Sequence, residues 1–273
     1  MPIILYRLLH EQVFMSASTS ILNKTINDEL LQSLGLFESI ELQKTSNKLS
    51  LKRIDRKFLL SIGRLPDFLK NVSNDYLLIT VGNSFSQTYK TNYYDTEDLF
   101  CYNSHHLGRS NRYKLRSREY VESGNVFDEI KVKNNHGVTK KYRLQREVKQ
   151  QHFDDKFRSF ATKTLGEFKS IPAFQLEVEY NRIACIQRNM ESRLTIDFNL
   201  SFSHSSEKKF LENLVIVELK SIMPPHRMSV FESIRKAGLK ESRFSKYCFG
   251  MASLRKNLRK NNFIQIFRTI DRL

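Results

Sequence analysis

Several stretches of this chain, taken two residues at a time, place Lys and Arg on one side and apolar residues on the other. The runs are Arg53-x-Asp55-x-Lys57, Lys114-x-Arg116-x-Arg118, Glu129-x-Lys131-x-Lys133, Lys141-x-Arg143, Arg193-x-Thr195-x-Asp197 and Glu218-x-Lys220, with Arg182 inside EYNRIA. Alternate side chains of a β-strand share a face, so this spacing predicts strands. The intervening Leu115, Ile130, Val132, Leu194, Ile196, Phe198, Val215, Val217 and Leu219 predict an apolar face behind them. A surface on which cations gather needs a polyanion to neutralise it.

The formal net charge is +16 over 273 residues, and 40% of the residues are hydrophobic, enough for a real core. Basicity alone suits nucleic acid, an anionic membrane or a polyphosphate equally well. Its concentration on strand faces is more telling. A nucleic-acid binder is expected to carry its bases on exposed helices or loops among stacking aromatics, whereas here they alternate with carboxylates on strands. Nucleic acid is therefore disfavoured as a partner. Cys101, Cys185 and Cys248 are far apart, match no metal or redox spacing, and read as reduced core thiols of a cytoplasmic protein. No apolar run reaches the length of a membrane span. The opening MPIILYRLLHEQVF is broken by Arg7 and His10 and lacks a basic n-region, so no signal peptide is expected, and Met15 is an alternative start.

Strands are expected over 76–82, 86–95, 112–121, 126–133, 138–145, 174–187, 192–203 and 213–221. Helices are expected over 26–36, 63–72, 151–165 and 228–237, a short helical or irregular piece over 98–107, and a basic helical tail over 251–273. Hairpins are frequent and strict βαβ alternation is absent, which favours a mostly antiparallel α+β fold. Two geometries satisfy one charged and one apolar face: an open sheet with a wet basic face, or a closed barrel with a polar lumen. His105-His106 fits packing or capping better than joint metal ligation, because adjacent side chains point apart. The glycines form no phosphate-binding loop or dinucleotide fingerprint.

Six motifs in order carry a family resemblance: RIDRKF at 53–58, the stretch from Tyr93 to Arg143 with YNSHHLGRSNRYKLRSREYVESG and FDEIKVKNNHGVTKKYR, EYNRIA at 179–184, SRLTID at 192–197, VIVELKS at 215–221 and RFSKYCFG at 243–250. Together they resemble the VTC domain, the polyphosphate polymerase domain of the vacuolar transporter chaperone complex, which belongs to the triphosphate tunnel metalloenzymes. The resemblance spans 38–250. It leaves 1–37 as an N-terminal extension with a short helix and 251–273 as the tail. It implies a closed antiparallel β-barrel tunnel with helices packed outside. Where the broader superfamily often opens with Glu-x-Glu-x-Lys, this chain has Arg53-x-Asp55-x-Lys57, so its cyclase and thiamine-triphosphatase branches fit less well.

What the resemblance implies for function is a metal-dependent phosphotransferase that moves the γ-phosphate of ATP onto a growing polyphosphate chain. Lys57, Arg116, Arg182, Arg193 and Lys246 match catalytic cations. Lys114, Lys131, Lys141, Tyr180, Lys220, Arg243 and Ser245 take substrate-binding roles, and Glu218 ligates Mn2+ or Mg2+. Asp55, Glu129 and Asp197 read as ion-pair partners that orient the cations, while Arg118, Lys133 and Arg143 continue the alternation toward a rim. The expected partners are ATP, triphosphate or polyphosphate. A tripolyphosphate or nucleoside-triphosphate hydrolase, or a non-catalytic polyphosphate-binding module, would use the same residues and differ only in the acceptor.

Overall fold

The computed structural model describes residues 21–45, 54–136, 138–146, 153–224, 226 and 228–273. The N-terminal residues before Ile21, Met15 among them, and Arg53 lie outside the described residues. In chain order the elements begin α1 (Ile21–Leu34), β1 (Ser39–Glu41), β2 (Ile54–Ser61), α2 (Leu65–Val72), β3 (Tyr76–Thr80), β4 (Ser86–Asp95) and α3 (Phe100–His106). They continue with β5 (Arg112–Tyr120), β6 (Asn125–Lys133), β7 (Thr139–Arg146), α4 (Asp155–Leu165), β8 (Ala173–Gln187) and β9 (Ser192–His204). Last come β10 (Glu207–Leu211), β11 (Leu214–Ser221), α5 (Val230–Lys236), β12 (Lys240–Glu241), α6 (Lys246–Leu254) and α7 (Ile264–Ile270). The period-two pattern located the long strands to within one or two residues. It missed β10, whose EKKFL has no clear alternation.

The fold is mixed α/β around a large, mainly antiparallel sheet, of 12 strands among the described residues. Pairing runs β12-β2-β11-β9-β8-β4-β5-β6-β7, with β10 on β9, β3 on β8 and β1 on β3. The β1–β3 pair is parallel. This ladder has two ends, so among the described residues the sheet is not closed into the barrel expected from the sequence. The physical reason lies at the ends. β12 offers only two residues to pair, and β7 is an edge strand whose Thr139, Lys140, Lys141, Tyr142 and Arg143 are exposed. Charged edge strands resist further pairing.

By compactness the chain forms two units. The first holds Met1–Ser86, Ile183–Ile196 and Val215–Glu241; the second holds Gln87–Arg182, Asp197–Leu214 and Ser242–Leu273. The long strands β8 and β9 contribute residues to each.

In the first unit, α2 starts with Pro in its first turn, where a missing N–H does no harm. Its Leu65, Phe68, Leu69 and Val72 recur at helical spacing and are buried. α1 and α5 pack against it. Tyr76 of β3 is fully buried, and its hydroxyl shares a 2.6 Å hydrogen bond with Ser192.

In the second unit, β4 to β7 form an antiparallel meander. One face packs Tyr94, Leu115 and Ile130 on Phe157 and Ala161 of α4, with Tyr113, Val132, Phe153, Phe160, Leu165 and Phe168 around them. Each such fully buried side chain contributes about 1.5–3 kcal/mol through area removed from water. α4 starts at Asp154, whose carboxylate accepts the Phe157 N–H at 2.9 Å. It stops at Gly166, where φ is 87° and a side chain would be strained. Arg146 at the end of β7 donates to both oxygens of buried Asp128 at 2.8 Å and to Asp154 at 3.1 Å. The last strand is thereby tied to the helix start.

Candidate functional site

The register of the meander converts sequence alternation into rows of side chains on its second face. Arg112 lies opposite Lys133. The next row is Lys114, Lys131 and Lys141, directly abreast across β5, β6 and β7. Then comes Arg116, Glu129 and Arg143, with Tyr93 of β4 beside Arg116. Thr91, Arg118, Phe127 and Gln145 follow. Like charges abreast repel, and evolution ordinarily avoids them on a sheet.

Glu129 anchors the centre. It is 1% exposed and accepts from Arg116 Nε at 2.8 Å, from Arg143 Nη2 at 2.8 Å, and from Lys141 Nζ. Burial by itself would raise its carboxyl, but the charges of Arg116, Arg118 and Lys141 hold it well below the usual carboxylate range. Three cations share one carboxylate, so positive charge remains over. Lys141 shows the strain of this surplus. Although the side chain is 42% exposed, desolvation of its ammonium against the meander pushes it down, the charges of Arg116 and Arg143 add to that, and Glu129 only partly opposes them, leaving it at about 7.

A second cluster uses β8, β9 and α6. Arg182 grips Asp197 with a two-bond fork, Nε to Oδ1 at 2.5 Å and Nη2 to Oδ2 at 2.7 Å. Lys246 donates to the same carboxylate, and its Nζ sits 4.2 Å from the centre of the Tyr180 ring. Burial would raise Asp197, yet Arg182 and Lys246 bring it to about 2. Burial also depresses Lys246, with Arg182 adding to the effect against Asp197. Here two cations share one carboxylate. Ser245 begins α6: its hydroxyl accepts from Cys248 N at 3.3 Å and from Lys114 Nζ at 2.7 Å. That bond joins the lysine row to the first turn of a helix, where backbone N–H groups favour anions.

Tyrosines fill the space between these cations. Tyr93 stacks on Tyr247 at 5.1 Å and accepts from Arg116 at 3.3 Å. Burial would raise its phenol, but Arg116, Arg118 and Lys114 lower it. Tyr247 in turn donates to Asp95 at 2.6 Å, the buried carboxylate that accepts the Cys101 and Tyr102 N–H groups at the start of α3. Tyr180 is 1% exposed and stacks on Tyr89 at 5.2 Å. Its hydroxyl is buried with no hydrogen-bond partner among the described residues.

The first unit carries the other expected residues. Lys57 of β2 forms an ion pair with Glu218 of β11, and Lys220 lies 3.4 Å from the same carboxylate. Arg193 of β9 opposes the rise that burial imposes on the Cys185 thiol, which stands at about 12. Asp55 is exposed. No group of three His, Cys, Asp or Glu that would hold a metal occurs among the described residues. The donor set therefore does not fit a metal caged by protein alone. It fits the mode in which one carboxylate, Glu218, supplements phosphate oxygens and water around Mg2+ or Mn2+.

The structure thus gathers Lys114, Arg116, Lys131, Lys141, Tyr180, Arg182, Ser245 and Lys246 within the second unit, and Lys57, Glu218 and Lys220 within the first. Arg243 is exposed and makes no hydrogen bond or ion pair among the described residues. Arg143 is 41% exposed at its side chain, so the rim expectation does not conflict with its position. Arg118 does not: it is 5% exposed, well inside the face. Sequence reasoning also passed over Tyr89 and Tyr93, although Tyr89-x-Thr91-x-Tyr93 continues the two-residue spacing onto β4. His106 packs on Tyr102 and Phe263, as expected of a core histidine. The three cysteines are buried and free. Elsewhere in this unit, a cleft of about 580 Å³ is lined by His204, Glu207, Arg255 and Lys256. Arg255 there is satisfied by Gln175 at 2.6 Å and His204 at 3.1 Å, so it carries none of the surplus seen on the meander.

The VTC domain sequence profile matches residues 52–255. No curated protein matches the chain. Solved structures that it resembles include a Pyrococcus horikoshii OT3 protein, at 12% identity over 74% of this chain and 99% of that one, with a TM-score of 0.43. An adenylate cyclase candidate from Bacillus halodurans matches at 13% identity over 71% and 93% of the two chains, TM-score 0.45. An adenylyl cyclase candidate from Hippeastrum with a dominant triphosphatase activity matches at 14% identity over 76% and 98%, TM-score 0.44. The profile covers most of the chain, which therefore belongs to the VTC domain family.

Proposed function

We propose that this member of the VTC domain family binds a linear chain of phosphates on the basic face of its second unit and acts on it as a phosphotransferase of the polyphosphate polymerase type. The observation that carries this reading is a charge count around two buried carboxylates, Glu129 and Asp197. Arg116, Lys141 and Arg143 share Glu129, and Arg182 and Lys246 share Asp197. A buried cation without full compensation is destabilising by several kcal/mol. A face that retains this surplus is complementary to an anion of several charges.

Phosphoryl transfer needs positioned cations and in-line geometry more than covalent chemistry. Arg116 and Arg182 offer planar forks for two phosphate oxygens each, and their carboxylate partners hold those forks in place. Lys114, Lys131 and Lys246 act as point charges, while the Ser245 hydroxyl and the first turn of α6 add hydrogen bonds to a terminal phosphate. Tyr180 supplies an otherwise unpartnered hydroxyl. In the first unit, Lys57, Arg193 and Lys220 are phosphate cations, and Glu218 is the carboxylate that would hold a divalent ion. That ion, when bound, neutralises charge on the transferring phosphoryl group. Arg243, exposed as it is, would meet substrate only outside the buried cluster.

The test is incubation of the protein with ATP and Mn2+, followed by electrophoresis of the products. A ladder of polyphosphate supports the polymerase reading. Free phosphate alone would overturn it in favour of a hydrolase, and tight binding without turnover would leave a polyphosphate-binding module. Among the described residues, no helix is long and apolar enough to cross a membrane.

A further inference from the structure

Arg118 differs from Arg116, Arg143 and Arg182 in one respect. Arg116 and Arg143 have Glu129, and Arg182 has Asp197. Arg118 is 5% exposed and has no carboxylate within ion-pair distance among the described residues. Among the described residues, its side chain makes one hydrogen bond, from Nε to Thr91 Oγ1 at 3.2 Å. The guanidinium lies over Tyr89 at 5.2 Å and Tyr180 at 5.8 Å, two rings that stack on each other at 5.2 Å with a 12° tilt. Arg182 uses the same two rings, at 5.0 Å and 5.4 Å, but keeps its fork to Asp197. The buried hydroxyl of Tyr180, beside the same guanidinium, has no hydrogen-bond partner among the described residues.

A cage of two rings and one hydroxyl orients a guanidinium but does not neutralise it, and Glu129, which Arg118 influences through its charge without an ion pair, already serves three other cations. Cation–π contacts and a neutral hydrogen bond are weak beside the penalty of burying a full charge. The position along β5 adds the second half of the inference. Arg118 stands four residues from Lys114, roughly 14 Å at strand rise, with the Arg116–Glu129–Arg143 row between them. A single anion held at the lysine row and the start of α6 leaves Arg118 unserved. A chain that continues across the Glu129 row reaches it.

The geometry points to Arg118 as a chain-length determinant: a caged arginine that takes the phosphates of a linear polyphosphate extending past the Glu129 row, and contributes little to holding a lone triphosphate. This rests on the phosphate-chain reading above and adds a substrate preference to it.

The experiment compares binding of inorganic tripolyphosphate and of long-chain inorganic polyphosphate by titration calorimetry, for the wild type, Arg118→Gln and Tyr89→Leu, together with the melting temperature of each free protein. For Arg118→Gln, long-chain affinity is expected to fall about tenfold, the worth of one charge-assisted contact, while tripolyphosphate affinity changes less than about twofold. The free variant is expected to melt no lower than the wild type, because a buried unpaired charge has been removed. Tyr89→Leu keeps the charge but loosens the cage, and should lose part of the same preference. It provides the readout if Arg118→Gln does not fold. Equal losses for both ligands, or a lower melting temperature with the preference intact, would show Arg118 to be structural and overturn the inference alone. A wild type that binds neither ligand would remove the underlying reading and this inference with it.

Discussion

The two faces of the β4–β7 meander are made from the same strands, one residue apart, and they are built on opposite terms. On one face, Leu115 and Ile130 are 1% and 0% exposed against α4, and the polar groups present are matched: Asp128 takes both Arg146 bonds and the Ser117 hydroxyl at 2.5 Å. On the other, Glu129 is shared by three cations, and Lys114, Lys131 and Lys141 stand abreast. The first face is complete without a partner, whereas the second reaches electrostatic balance only with one. A single backbone can thus carry stability and binding as nearly separate properties, because a period of two separates the side chains that serve each.

That contrast can be broken by substitution. The largest expected effect is Glu129→Gln, which leaves Arg116, Lys141 and Arg143 without their carboxylate. The free protein should lose about 3–5 kcal/mol in urea denaturation, the usual result of removing one partner of a buried pair. Saturating tripolyphosphate should restore more stability to this variant than to the wild type. If it restores none, the face is not an anion site.

Next in size is Ile130→Ala on the opposite face. A loss of about 3 kcal/mol is expected from the lost contacts and the cavity, with tripolyphosphate affinity unchanged once the variant is folded. A parallel loss of affinity would mean that the two faces are not separable. Lys114→Ala should do the reverse: roughly tenfold weaker tripolyphosphate binding in calorimetry, and little change in melting temperature.

The smallest effect is one of pH. Lys141 stands at about 7 in the folded protein, below the roughly 10.4 of an unfolded lysine. Between these values the unfolded chain holds more protons at this group than the folded one, so its contribution to stability rises with pH from about 7 upward. An anion bound at Lys141 raises its proton affinity. Tripolyphosphate affinity should therefore fall over the same pH range while the free protein becomes more stable. Lys141→Met should flatten both slopes. A wild type whose binding and stability move together with pH would contradict the placing of Lys141 at the site.

Much of the site could be read in the chain because it is written in local periodicity. Lys114-x-Arg116-x-Arg118 and Glu129-x-Lys131-x-Lys133 fix which residues share a face whatever the rest of the protein does. Partnership was harder to read. Lys114 meets Ser245 and Lys246 meets Asp197 across long loops of chain, and no spacing rule reports such meetings. The role of Arg118 was misjudged for the same reason. Distance along a strand says "toward the end", but burial depends on Tyr89 and Tyr180, which arrive from two other strands.

Sequence alone settled the alternation of charge and grease, the strands it demands, and the excess of positive charge on one side of them, since these follow from covalent spacing and side-chain type. Tertiary structure alone decided that, among the described residues, the sheet ends at β7 and β12 instead of closing, that Glu129 serves three cations, and that one arginine is left in a cage of tyrosines. Those outcomes depend on which distant residues arrive at a given strand and on how much water they exclude, and neither quantity is local to the chain.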